Sequence, residues 1–227
     1  MMELTYYGHS CFLLDTGVAK ILFDPFISPN ELAKHIDIST IHPDYILVSH
    51  GHEDHVADAI QIAKQNDSTI VSNFEIVSWF QNNGVAKGHP MNIGGQWSFN
   101  FGKVKYVNAI HSSVMPDGTY GGNPGGFIIQ AEGKTIYFAG DTALHYDMKL
   151  LAEMFKIDYA LLPIGDNFTM GIDEAVKAAD FIQCNNIIGM HYDTFGYIKI
   201  DHQTATESFS KKGKNLQLVE IGKTINL

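Results

Sequence analysis

The chain has 227 residues, 25 acidic against 15 basic, a formal net charge of −10, and 45% apolar content. That balance excludes a disordered tail or a fibre, and no apolar run reaches the roughly 18 residues of a membrane span. Every basic residue is a lysine; without guanidinium groups, and with excess negative charge, the surface is a poor match for long DNA or RNA.

In chain order, LTYYG, CFLLD, AKILFD and YILVSH read as strands punctuated by Gly, Asp and Pro. Helical spacing of apolar residues predicts helices over 56–65 and 74–81, with the short strand TIVS between them. SFNFGKVKYVNAI, GGFIIQAEG and KTIYFAGD read as antiparallel strands, the last two joined tightly through EGK. From residue 147 helices and strands alternate: a helix over 147–155, the strand DYALLPIG, and the helix DEAVKAADFIQ with Asp173 as its N-cap. The strand NIIGMH, the helix TATESFSKK and the segments LQLVEIG and KTINL close the chain. No low-complexity linker divides these regions. The expectation is one α+β or α/β domain over 1–227, in two halves that pack sheet on sheet.

Cys11 and Cys184 have no C-x-x-C partner and read as reduced packing residues. The start, MMELTYYGHSC, has no signal-peptide pattern, so the expected location is cytoplasmic, with no membrane partner. MPDGTYGGNPGG (115–126), with five glycines and two prolines, reads either as a surface loop or as a flap over a site.

Histidine carries the chemistry. SHGHEDH (49–55) places three imidazoles and two carboxylates between a predicted strand and a predicted helix. Imidazoles at i and i+2 of an extended loop point the same way, so His50 and His52 suit one cation. Asp54 and His55, entering a helical turn, suit a second beside it. Four residues do not saturate two ions, and three further candidates stand at predicted strand ends: His111, Asp141 and His191. His111 would complete the first ion's set and His191 the second's, with the Asp141 carboxylate bridging.

HGHEDH, the early FDP, AIHSS, AGDT and GMHYD stand in the order of the five motifs of the metallo-β-lactamase superfamily, which the chain resembles over residues 4–222. The resemblance implies a four-layer αβ/βα sandwich with a metal site at the edge between its sheets. It implies the ligand set His50, His52 and His111 for one ion, Asp54, His55 and His191 for the other, and Asp141 between them. Asp24, in FDP, would hydrogen-bond the histidine loop rather than bind metal. YYGHSCFLL, LFDPF and PIGDNFTMG resemble the branch of small metal-dependent hydrolases related to L-ascorbate-6-phosphate lactonase. In that light His9 and Asn167 are expected substrate contacts.

The expected activity is hydrolysis of a small ester, lactone or phosphoester by a metal-activated water, with Asp54 orienting the nucleophile and passing its proton to the leaving group. The cofactors would be two divalent ions, zinc first, with manganese, nickel or iron also suited to a nitrogen and oxygen donor set. A phosphodiesterase or nuclease of the same fold, or a non-catalytic metal-binding protein, is the alternative. A homo-oligomer is compatible with the aromatic-rich surface.

Overall fold

The computed structural model describes residues 2–227. Its first half runs β1 (Glu3–Gly8), β2 (Cys11–Asp15), β3 (Lys20–Phe23), β4 (Tyr45–Leu47), α1 (Glu53–Val56), α2 (Ala59–Asn66), β5 (Thr69–Asn73), α3 (Phe74–Asn82) and β6 (Gly88–Met91). The second runs β7 (Gln96–Phe99), β8 (Gly102–Asn108), β9 (Gly125–Ala131), β10 (Lys134–Phe138), α4 (Met148–Met154), β11 (Tyr159–Pro163), α5 (Ile172–Phe181), β12 (Asn186–Met190), α6 (His202–Ser210) and β13 (Asn215–Gln217). The last strand, β14 (Thr224–Asn226), returns to the first half and pairs antiparallel with β1.

Two seven-stranded sheets result, in the orders β14-β1-β2-β3-β4-β5-β6 and β13-β12-β11-β10-β9-β8-β7. They pack face to face across one apolar core, where Phe23 of the first sheet stacks on Phe138 of the second with ring centroids 4.7 Å apart. A separate cluster, including Ile46, Val56, Ile62 and Phe80, buries the other face of the first sheet under α1–α3. This is the expected four-layer sandwich, and both cysteines are free and buried within it.

Several elements differ from the sequence expectation, each for a local reason. The helix expected over 56–65 breaks after Val56, because Asp58 turns inward to accept hydrogen bonds from the Ile27 and Ser28 amides at 2.6 and 2.9 Å. Helix α5 starts before Asp173, with Gly171 at the N-cap position and its N–H donating to Glu174 Oε2; Asp173 lies in the first turn, where a carboxylate favours the helix dipole. The stretch SFNFGKVKYVNAI folds as the hairpin β7–β8 rather than as one strand. Edge strand β6 carries Pro90, which only an edge tolerates. Among the described residues no helix is long and apolar enough to cross a membrane.

The topology fixes where the site lies. β1 and β3 are each antiparallel to β2, and β4 is parallel to β3. In the other sheet β8 and β10 are each antiparallel to β9, and β11 and β12 follow β10 in parallel. The C-terminal ends of β1, β3 and β4 therefore share one edge of their sheet, as do those of β8, β10, β11 and β12 in theirs. Hydrogen bonds join the two edges: the His191 amide donates to His9 O at 2.9 Å, and the Gly125 amide to Ser49 O at 3.0 Å.

Candidate metal centre

Strand ends on this edge carry most of the candidate side chains, and Asp54 and His55 follow in α1. His9 follows β1, Asp24 follows β3, His50 and His52 follow β4, His111 follows β8, Asp141 follows β10 and His191 follows β12. His9, Asp24 and His191 adopt left-handed backbone, with φ of 54°, 40° and 55°. Non-glycine residues rarely sit there, and such strain concentrates at functional sites. Gly140, at φ 63°, makes the turn into Asp141, where a Cβ would lie 2.7 Å from Gly125 O. The His111 and Asp141 loops are tied together, since the Ile110 amide donates to Thr142 Oγ1 and the Ala143 amide to Ile110 O, both at 3.0 Å.

The side chains converge on one atom. Asp141 Oδ2 lies 3.0 Å from His191 Nε2, 3.3 Å from His55 Nε2, 3.6 Å from His111 Nε2 and 3.9 Å from His50 Nε2. On one side His50, His52 and His111 bring ring nitrogens within 4.8 Å of one another; on the other, a carboxylate oxygen of Asp54 and ring nitrogens of His55, His191 and His9 come equally close.

Hydrogen bonding determines which nitrogens are bare. Asp24 accepts from Ser49 Oγ at 2.6 Å and from the Ser49 amide at 2.7 Å. The Ser49 hydroxyl proton being committed to this carboxylate, its oxygen accepts from His50 Nδ1 at 2.9 Å, which leaves a lone pair on His50 Nε2. His55 Nδ1 donates to the same carboxylate at 2.7 Å, which turns its Nε2 towards Asp141 Oδ2 at 3.3 Å. That Nε2 and Asp141 Oδ1 are buried without a hydrogen-bond partner. His50 Nε2 and His52 Nδ1 meet at 2.9 Å. Buried, unpartnered polar atoms are costly alone, and a cation satisfies them together. The donor set thus fits divalent metal on an observation internal to the fold.

Electrostatics separate the two rings: burial pushes His55 down, but Asp141, Asp24 and Asp54 outweigh it and hold the ring well above the usual histidine range, so a metal at its Nε2 would displace a proton. Burial, reinforced by neighbouring His55, holds the His50 ring well below the usual histidine range and so neutral. Burial pushes the Asp54 carboxyl up, but the combined pull of His55 and the hydrogen bond from His9 wins and leaves it far below the usual carboxylate range.

The other sequence candidates are placed differently. His9 does not face the cavity: it is buried, with Nε2 against Asp54 Oδ2 at 3.1 Å and Nδ1 against Thr194 Oγ1 at 3.0 Å. Both nitrogens being engaged, it holds Asp54 in place rather than contacting substrate. Asn167 lines a neighbouring depression with Asp166, Ile172 and Lys199. The adjacent Phe168 lies on the metal cavity instead. No residue of 115–126 lines that cavity. The segment is anchored by Ser113 Oγ and Asn73 Nδ2, which both donate to Gly121 O, and by Met115, which packs against Gly51. It packs against the histidine loop and stands outside the cavity lining. The cavity, about 780 Å³, opens over His52, Asp54, His111, Asp141 and His191. Its remaining wall includes Phe195 and Tyr197, aromatic residues without periodic context, which sequence reading did not single out.

The model of the beta-lactamase superfamily domain matches residues 3–191. The chain is similar to a UPF0173 metal-dependent hydrolase of Flavobacterium johnsoniae, 55% identical over 226 residues, and to one of Christiangramia forsetii, 56% identical over 227, with all of both chains covered in each case. Among solved structures, a metallo hydrolase from the hyperthermophilic archaeon Ignicoccus hospitalis matches with a TM-score of 0.90 at 32% identity, covering 99% of this chain and 97% of that one.

Proposed function

Since the chain belongs to the beta-lactamase superfamily, among its UPF0173 metal-dependent hydrolases, and is itself a metal-dependent hydrolase, we propose that it works with two divalent cations on a small ester, lactone or phosphoester. His50, His52 and His111 would hold one cation and Asp54, His55 and His191 the other, with Asp141 available to both. The observation that carries this reading is the position of Asp141 Oδ2, within 3.9 Å of four imidazole Nε2 atoms at the junction of the two ligand groups. Seven nitrogen and oxygen donors suit zinc first, and manganese, nickel or iron as well.

Bound divalent cations supply Lewis acidity and bring the pKa of a coordinated water towards 7. The chain's own residues do the rest. Asp24 keeps protons on the outward nitrogens of His55 and, through Ser49, of His50, so both rings turn Nε2 inward. Asp54, held by His9 and reaching the cavity, accepts a hydrogen bond from the attacking water and orients it. A proton that Asp54 takes from that water would pass on to the leaving group. No serine or cysteine nucleophile is required. Ion content and calorimetric titration test the reading. We expect two equivalents bound, activity on small lactones or esters abolished by chelation and restored by the ion, and a loss of at least about 100-fold in Asp141→Ala. Activity indifferent to chelation would overturn it.

A further inference from the structure

The cavity has two unlike walls. One is the ligand cluster; the other is aromatic, built from Phe168, Phe195 and Tyr197. These rings come from two separate loops. Phe168 follows β11 on a turn in which Asp166 and Asn167 have φ of 62° and 56°. Tyr197 projects from the helical turn Gly196–Ile198, whose neighbour Ile198 is buried and anchors it. Phe195 is held edge-on by His9, with centroids 5.4 Å apart. The Phe168 and Tyr197 rings approach each other at 6.3 Å and 78°, yet stay 50% and 79% exposed. Two large aromatics left in water at the mouth of a cavity, rather than folded into the core, mark surface kept for a ligand.

The same wall lacks a counter-charge. No lysine lines the cavity, and the chain has no arginine. Besides the Tyr197 hydroxyl, its side-chain donors outside the cluster are Ser112 and Thr194, and Thr194 Oγ1 is already shared between His9 and Tyr192 O. An anionic substituent seated against this wall, away from the ions that the cluster would hold, would lose hydration with no cationic side chain to receive it. A flat apolar ring would meet aromatic faces and edges. Resting on the hydrolase reading above, we infer that the substrate is an uncharged ester or lactone carrying a flat apolar substituent, seated against Phe168, Phe195 and Tyr197. A carboxylate on that substituent is disfavoured.

Matched lactones on the metal-loaded enzyme test this: γ-butyrolactone, its γ-phenyl derivative and its γ-carboxylate. The phenyl compound should exceed the carboxylate in kcat/KM by at least about tenfold, and in a Phe168→Ala/Tyr197→Ala double variant the ratio of phenyl to unsubstituted should fall about fivefold or more. Binding of 2-phenyltetrahydrofuran, an uncharged mimic that is not hydrolysed, is measured in parallel by saturation-transfer NMR. It should bind the wild-type protein and weaken about tenfold in the double variant. Equal turnover of phenyl and carboxylate lactones, or binding indifferent to the two aromatics, overturns the inference and leaves the hydrolase reading standing. If no lactone is turned over but the mimic binds through Phe168 and Tyr197, the lactone-hydrolysis reading fails while the aromatic subsite is upheld.

Discussion

Asp24 receives no ligand role, yet it sets the protonation of two proposed ligands at once, through His55 directly and through Ser49 to His50. Asp24→Asn keeps the shape but replaces an obligate acceptor with a group that also donates, which scrambles both tautomers. We expect metal affinity to fall about 10- to 100-fold, read by competition with a chromogenic chelator, with the circular dichroism spectrum retained. His9 gives a second prediction at this scale. Burial, aided by the neighbouring His191, pushes its ring down to about 4 in the folded chain. The unfolded chain takes up this proton first as the pH falls below about 6.5, so stability declines from there down to the folded value and rises again with pH. In chelator-treated protein this amounts to about 2–3 kcal/mol between pH 7 and pH 4.5. Urea unfolding at the two pH values should show that much less difference in His9→Gln; an unchanged difference would assign the acid sensitivity elsewhere.

At the scale of elements, the site depends on strand ends meeting with almost no space between them. At Gly165, just after β11, a Cβ would come 2.0 Å from His191 O and 3.0 Å from the Ile198 side chain. Gly165→Ala must push β11 away from the turn that carries His191, so we expect a loss of about 1–3 kcal/mol in denaturant unfolding together with weakened metal binding. Ordinary stability with intact binding would show that the turn can yield. The strands themselves were legible: alternation and β-branched runs gave β1–β4 and β9–β12 close to their actual bounds. What periodicity missed was decided by tertiary partners. Asp58 breaks a helix to serve the backbone of Ile27 and Ser28, and β6 needs a neighbouring strand to exist despite its Gly and Pro. The histidine and carboxylate cluster was legible because its residue types are rare and its spacing carries mechanism. The aromatic wall was not, since Phe168, Phe195 and Tyr197 sit on irregular loops, and only the fold brings them opposite the cluster.

Across the whole molecule, the proposed ligands divide between the two halves: His50, His52, Asp54 and His55 follow β4 of the first sheet, and His111, Asp141 and His191 follow β8, β10 and β12 of the second. Bound cations would therefore cross-link the sheets at the edge where direct hydrogen bonds such as His191 N–H to His9 O already join them. Without ions, the same edge buries His55 Nε2 and Asp141 Oδ1 with no hydrogen-bond partner. Ion binding should thus be felt as global stability. One site at 100 times its dissociation constant contributes about 2.7 kcal/mol, and two contribute about 5 kcal/mol. For a chain of this size that is a rise in melting temperature of roughly 10 °C or more. Calorimetry with saturating zinc against excess chelator measures it directly. Asp141→Ala, which removes the shared carboxylate, should lose most of the increment while its chelated form melts close to the chelated wild type. A wild-type melting temperature unmoved by chelation would mean that the two sheets are not joined through metal.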